Sequence, residues 1–329
     1  MSNIEVVGLG ALNIDHIYKV ERILDDGEAV VAETASSPGG SAANTIYGLA
    51  RLGITTGFTG VIGDDAEGKI MLHDFQKAGV DTSQIRLKPG AKTGSVLCLS
   101  DKLGRRSLYV SPGANNLLTI DDLDLDYINQ AKMLHVSSFA DDRQFKVVLE
   151  LMGRLDSSTK VSFAPGALYA AKGLGALTPI LNRTYVLLIN QNELGQLTGE
   201  GIIAGAEKCL KQGCRITAVT LGQGTRLESG RGTRRGTITA VSYIRDAESE
   251  YAIQANSQNI VPEVDTTGAG DAFATGFLYG LLNGKKLEEC GRFGDIVAQF
   301  SIRKIGARKG LPTFDELAQR YQELYSRQL

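Results

Sequence analysis

The feature that most constrains this chain is the alternation of two apolar periodicities. Runs rich in Val, Ile, Leu and Tyr recur at 4–9, 57–62, 95–99, 107–110, 132–137, 160–163, 185–189 and 216–221. Each has the length of a strand, and most end in Gly, Asn or Ser. Segments with a 3.6-residue repeat lie between many of them, at 42–52, 66–78, 121–130, 143–155, 203–212 and 268–283. Strands that are apolar almost throughout are buried on both faces, which an alternating order achieves with a parallel sheet. The pattern therefore predicts an α/β fold: a doubly wound, mostly parallel sheet with helices on both faces and ligands at the C-terminal ends of its strands. Glycine, 39 residues against 7 prolines, supplies the loop punctuation.

Two stretches break this rhythm. Residues 93–113 read as a hairpin, and 12–35 hold a strand-like stretch with no helix. Together they predict a small separate β-sheet, a lid that excludes water from a transferring group; the alternative is that they decorate the edges of the main sheet. No Pro/Ser-rich tract or charge block divides the chain, so residues 1–329 are expected to form a single unit with these two insertions.

Composition narrows the function. Lys plus Arg total 35 against 37 for Asp plus Glu, a formal net charge of -2, without the basic excess that binding a phosphate backbone demands. Nucleic acid is excluded as a partner. No apolar run approaches the ~20 residues of a membrane span, and the N-terminus lacks a leader pattern. Cys98, Cys209, Cys214 and Cys290 show no CxxC spacing, and His16, His73 and His135 are scattered. A reduced, cytoplasmic protein without a histidine-rich metal centre is expected.

Gly8 and Gly10 after the first strand superficially match a dinucleotide fingerprint, but the third glycine position is Asn13 and an acid, Asp15, follows at once. On an extended backbone Asn13 and Asp15 point to one side, where an amide and a carboxylate suit polyol hydroxyls; a solvated Asx turn is the plain alternative. Ser37-Pro38-Gly39-Gly40-Ser41-Ala42-Ala43-Asn44 is a glycine turn leading into an amphipathic helix, with Ser41 as its expected N-cap and the Asn44 amide available to a ligand oxygen. The most specific segment is Asp265-Thr266-Thr267-Gly268-Ala269-Gly270-Asp271-Ala272-Phe273. Glycines at a helix start free backbone N–H groups where the helix dipole is positive, which suits a transferring phosphoryl group. Asp271 in that first turn can accept a proton from an attacking hydroxyl, or can be simply a favourable first-turn acid.

These residues resemble the two signatures of the ribokinase-like, or PfkB, carbohydrate kinase family. The segment from Gly39-Gly40 to Asn44 resembles the first and Asp265 to Phe273 the second, in matching order and separation, so the resemblance spans essentially the whole chain. It implies a doubly wound α/β core with a β lid and an ATP-dependent kinase. It also implies that Asp271 is the catalytic base and that the amides of Gly268, Ala269, Gly270 and Asp271 form an anion hole. Asn13 and Asp15 match substrate-hydroxyl ligands, as do Gly39, Gly40 and Asn44. Asn190 and Glu193 match an NxxE motif whose Glu orders Mg2+ near the phosphates. Thr220, Gly222 and Gly224 match a nucleotide loop, here one residue shorter than the family's. Asp265 and Thr267, with Ser301, Lys304, Gly306 and Gly310, match a monovalent-cation site, often K+.

Other positions depart from ribokinases. Ser41 stands where many carry Lys, Ser138 lies near the position of a sugar-binding Glu, and Phe163-Ala164-Pro165-Gly166 resembles an FDPG-like stretch with Ala in place of Asp. The acceptor is thus expected to be a sugar, as in ribokinase or fructokinase, with a nucleoside as the alternative. A catalytically silent nucleotide-binding protein is a further reading from outside the enzymes. A phosphosugar would need cations, and Lys92, Arg105, Arg106 and Arg143 are the candidates. Arg226, Arg231, Arg234 and Arg235 read as a solvated hairpin or as ATP-phosphate contacts. An apolar outer lid face around Val96, Leu97, Leu99, Leu108 and Val110 predicts a homodimer.

Overall fold

The structure is a computed structural model and describes residues 4–102, 105–229, 236–254 and 264–326. The chain opens with β1 (Val6–Leu9), β2 (Asn13–Val20), β3 (Val31–Gly39), α1 (Ser41–Arg51), β4 (Thr56–Gly63), α2 (Ala66–Ala78) and β5 (Asp81–Lys88). Strands β6 (Gly94–Asp101) and β7 (Arg106–Ser111) follow, then α3 (Leu125–Asn129), β8 (Met133–Ser137), α4 (Asp142–Arg154), β9 (Lys160–Ala164), α5 (Gly166–Ala170) and α6 (Gly173–Leu181). The rest comprises β10 (Thr184–Asn190), α7 (Gln191–Thr198), α8 (Ile202–Lys211), β11 (Ile216–Ser229), β12 (Gly236–Arg245), β13 (Glu250–Gln254), α9 (Ala269–Leu282), α10 (Leu287–Ser301) and α11 (Phe314–Tyr325).

Nine strands form the main sheet in the order β13-β12-β11-β10-β9-β8-β1-β4-β5. From β11 to β5 all pairs are parallel; β12 and β13 add an antiparallel edge. The chain winds from β1 through β4 to β5 and then returns to β8 on the other side of β1. The strand order reverses there, so the crevice beyond the C-terminal ends of β1 and β8 is where this topology places a ligand. Alternate residues bury opposite faces. Val186 and Leu188 of β10 join the core beneath α1, α2, α9, α10 and α11, while Leu187 and Ile189 join the core beneath α4 to α8. Gly8 and Gly10 serve packing: a Cβ at Gly8 would overlap Ile46 of α1, and one at Gly10 would overlap Ser137. Close approach of α1 to β1 explains these glycines without a dinucleotide.

The two irregular stretches do form a separate sheet, in the order β3-β2-β6-β7, although β3 runs on to Gly39, beyond residue 35. The pairing Asp15–Val96–Val110 and Ile17–Cys98–Leu108 puts those residues on one face; Leu97 and Tyr109 lie on the other, as does Leu99. The expected apolar patch thus mixed two faces: Val96, Leu108 and Val110 share the face of Asp15, and Leu97 and Leu99 share the opposite one. A period of two forbids neighbours such as Val96 and Leu97 from pointing the same way.

All four cysteines are free and buried. No helix among the described residues is long and apolar enough to cross a membrane.

Candidate active site

Helix α9 begins at the crevice. Its N-cap, Gly268, is left-handed at φ 77° and offers no side-chain cap. A Cβ there would overlap Ala307, so glycine lets the 302–310 loop close against the helix start. Ala269 donates its N–H to the Thr266 carbonyl at 3.2 Å. That narrows the expected anion hole: Gly270 and Asp271 keep the N–H groups that position leaves without intrahelical partners. Gly270 is exposed, and no atom lies within 4 Å of where its Cβ would stand, so the helix start is open at this residue.

Asp271 is held from α1. Ser41 Oγ donates to its Oδ1 at 2.7 Å and Asn44 Nδ2 to its Oδ2 at 2.8 Å. Ser41 is therefore not an N-cap; Gly40 occupies that place without a side-chain bond, and the Ser41 hydroxyl is directed across to α9. Thr275 Oγ1 locks the two helices together by donating to the carbonyls of Asp271 (2.9 Å) and Thr45 (3.3 Å). Burial pushes the Asp271 carboxyl up to about 6, against the lowering pull of Asn44, Ser41 and Arg308. A group at that value is ionised at neutral pH yet basic enough to take a proton.

Asn13 and Asp15 open β2 and are both 7% exposed. The Asn13 Oδ1 accepts from Asn115 Nδ2 at 2.9 Å. Asp15 accepts no hydrogen bond from any described residue, and Gly39 lies so close that a Cβ would overlap its carboxylate. Burial pushes Asp15 up to about 7; Arg308 opposes the rise, while Asp271 and Asp265 reinforce it.

Asn190 and Glu193 form the capping box of α7. Asn190 Oδ1 accepts from the N–H groups of Asn192 and Glu193, and Glu193 Oε2 accepts from that of Asn190 at 3.2 Å. The motif thus has a structural task, yet Glu193 Oε1 lies outside it. Glu193 shares a pocket of about 100 Å³ with Ser41, Asn190, Thr220, Gly270 and Asp271. Burial raises its pKa, and Asp271 adds to the rise. Thr220 stands at the start of a bulge in which residues 221–224 of β11 face a single residue of β12, so Gly222 and Gly224 lie in an irregular loop. Thr225 ties this loop to α7 by donating to Gln191 Oε1 at 2.9 Å.

Asp265 bridges two segments, accepting from Thr267 N and from Gly306 N, both at 2.9 Å. Ile302 O accepts from Val264 N and Asp265 N. Gly310 packs on the carbonyls of Phe300 and Ser301. The structure thus gathers Asp265, Thr267, Ser301, Gly306 and Gly310. The Ser301 hydroxyl donates within α10 to Ala298 O, and the Lys304 side chain, itself a cation, is exposed, so Lys304 offers a bound cation only its main-chain carbonyl.

Two of the proposed phosphate cations are engaged in ion pairs. Arg105 pairs with Asp101 at 2.7 Å, Arg143 pairs with Asp141 at 3.1 Å, and Lys92 is exposed. Arg231, Arg234 and Arg235, and the side chain of Arg106, lie outside the described residues; Arg226 sits on β11. The residue missed in sequence is Arg308, 6% exposed, whose Nε donates to Asn44 Oδ1 at 2.9 Å. Only its place between Gly306 and Gly310 hinted at a site.

The pfkB family carbohydrate kinase model matches residues 3–314. An uncharacterized sugar kinase of Archaeoglobus fulgidus is 37% identical over 265 residues, covering 80% of this chain and 98% of that protein. An ATP-dependent ribose-1-phosphate kinase of Halopiger xanaduensis is 28% identical over 318 residues, 96% of this chain and 97% of its own. The crystal structure of a ribokinase from Thermotoga maritima superposes with a TM-score of 0.80 at 24% identity, covering 97% of this chain and 99% of that one. A family match along nearly the whole chain, on a fold shared end to end with a ribokinase, makes this protein a member of the PfkB family of carbohydrate kinases and so an ATP-dependent kinase.

Proposed function

We propose that the protein transfers the γ-phosphoryl group of ATP to a primary hydroxyl of a neutral sugar, in the manner of a ribokinase or fructokinase. The observation that carries this reading is Asp15, a buried carboxylate without a described hydrogen-bond donor, beside Asp271 at the open N-terminus of α9. A polyol supplies the donors that Asp15 lacks, and the same polyol presents one hydroxyl to Asp271. Asp271 takes the hydroxyl proton as the oxygen attacks phosphorus, and the N–H groups of Gly270 and Asp271 stabilise the charge on the transferring group. Asn13, Gly39, Gly40 and Asn44 complete the acceptor side. The sheet of β2, β3, β6 and β7 acts as a lid on a single 1–329 unit, and its exposed apolar residues, Leu97, Leu108 and Val110, are the surface for the expected dimer; a 35.2 kDa particle in solution would remove the dimer.

Charge supports a neutral acceptor. Asp15, Asp271, Glu193 and Asp265 lie around the crevice against Arg308, the one buried cation among the described residues, and that guanidinium is already engaged. In this reading the metal is held through one Glu, waters and the nucleotide's own phosphates. Glu193 Oε1 is the group for Mg2+, which when bound with ATP neutralises phosphate charge. The nucleotide lies along Thr220, Gly222 and Gly224, and Asp265 with the carbonyls of 300–310 is the place for K+. One observation favours a nucleoside as second reading: an open cleft of about 470 Å³, walled in part by Ile17, Cys98, Leu108 and Ile305, runs along the lid face that carries Asp15 and suits a base.

The test is ADP release from MgATP, with and without K+, across pentoses, hexoses, nucleosides and ribose-1-phosphate. A selective rise with a free sugar supports the proposal, and one with a nucleoside moves it to the second reading. A rise with ribose-1-phosphate alone, the substrate named for the Halopiger relative, overturns the neutral acceptor.

A further inference from the structure

Arg308 is the most heavily engaged charged side chain near the site, yet nothing in the two family signatures accounts for it. Its Nε donates to Asn44 Oδ1 at 2.9 Å, its Nη1 to Asp74 Oδ2 of α2 at 2.6 Å, and its Nη2 to the Gly39 carbonyl at 3.2 Å and towards Met71 Sδ at 3.6 Å. The guanidinium also lies over the rings of Tyr47 and Phe75, at 5.2 and 5.1 Å. It therefore joins α1, α2 and the last residue of the lid strand β3.

We propose that Arg308 is a positioning residue for phosphoryl transfer: it dictates which end of the Asn44 amide faces Asp271 and holds the Gly39 backbone against Asp15. An arginine N–H can only donate, so the Asn44 atom facing it must be the carbonyl oxygen. The NH2 end is left to donate to Asp271 Oδ2, where it stabilises the ionised base. Without Arg308 the amide is free to turn over, because rotation about its last torsion is roughly two-fold. An oxygen would then oppose the carboxylate. The Gly39 contact acts on the acceptor side, since Asp15 packs against that glycine.

The charged groups that bear on Asp271 and Asp15 are Glu193 from α7, Asp265 from the segment before α9, Arg308, and Asp74 behind it. Arg308 is the single cation in this set, so its loss moves the base to higher pH. Lysine does not replace it, because one ammonium cannot reproduce a fork that reaches Asn44, Asp74 and Gly39 together.

The inference rests on the proposed role of Asp271, so the first measurement needs no acceptor. The Asp271 carboxyl is titrated by 13C NMR in the full chain, its signal assigned by loss in Asp271→Asn. In Arg308→Gln the midpoint is expected to rise by about one unit or more. An unchanged midpoint in folded Arg308→Gln overturns the proposal, whatever the substrate proves to be. Should that variant not fold, Arg308→Lys keeps the charge beside Asp74 and decides the matter by turnover. A loss of about tenfold or more in kcat is expected, and in the Asn44→Ala background the same change costs less, because the part that acts through the amide is already gone and only the Gly39 contact remains to be lost. Wild-type kcat in Arg308→Lys, or full additivity with Asn44→Ala, overturns it.

Discussion

Asp15 gives the sharpest prediction because its structural cost and its proposed use have opposite signs. Its carboxylate is 7% exposed, accepts no hydrogen bond from a described residue, and is pushed up to about 7 by burial. In the unfolded chain the same group titrates near ~3.9. Between those values the folded protein holds more protons than the unfolded one, so stability falls as pH rises from about 4 to about 7 and the cost is complete above 7. A difference of ~3 units corresponds to roughly 4 kcal/mol at pH 8. Asp15→Asn removes that charge but buries an amide whose own donors lack partners, which takes back about 1–2 kcal/mol. The net gain is therefore about 2–3 kcal/mol. With an unfolding entropy of ~2.1 cal/mol/K per residue, that raises Tm by about 3–4 °C for a chain of 329 residues. At pH 4.5 wild-type Asp15 is already protonated when folded, so the two proteins melt within about a degree of each other. The assay is calorimetric melting at both pH values, repeated with the acceptor, which raises the wild-type Tm and leaves the variant unmoved. A variant that melts below wild type by the same margin at both pH values would refute the reasoning.

Asp271→Asn is expected to lower kcat by about 10²–10⁴ while leaving ATP affinity nearly unchanged, read by steady-state turnover and nucleotide titration; near-normal turnover would remove Asp271 as base. Because Asp271 must be ionised and titrates at about 6, kcat should fall tenfold per unit as pH drops below that value and level off above it, and a flat profile down to pH 4.5 would contradict this assignment. Gly39→Ala places a Cβ on the Asp15 carboxylate, so KM for the acceptor should rise at least tenfold with kcat less affected. An unchanged KM would show that Asp15 does not touch the acceptor.

Local patterns carried the secondary structure well. The 3.6-residue repeat at 66–78 coincides with α2, closed by the left-handed Gly79, and every apolar run read as a strand lies within or overlaps one. Some elements escaped, the amphipathic helices α10 and α11 among them. Strand β5 lies at one edge of the sheet beside β4 and carries polar residues, and the antiparallel pair β12–β13 lies beyond the parallel strands at the other. Asn190 and Glu193 were visible as a pair, but their spacing fits a capping box as well as a magnesium ligand, and the structure places them in the cap and on the pocket wall at once.

The sequence by itself determined the alternating architecture, the two glycine-rich turns and Asp271 in a first helical turn, because propensity, capping and periodicity act over a few residues. The tertiary structure alone decided what those groups touch. Ser41 and Asn44 meet Asp271 across 230 and 227 residues, and Arg308 meets Asn44, Asp74 and Gly39 across 264, 234 and 269. No local pattern records such contacts. They arise only when α1, α2, α9 and the 302–310 loop pack on one face of the sheet, where burial shifts the carboxylates and one guanidinium must find all its acceptors at once.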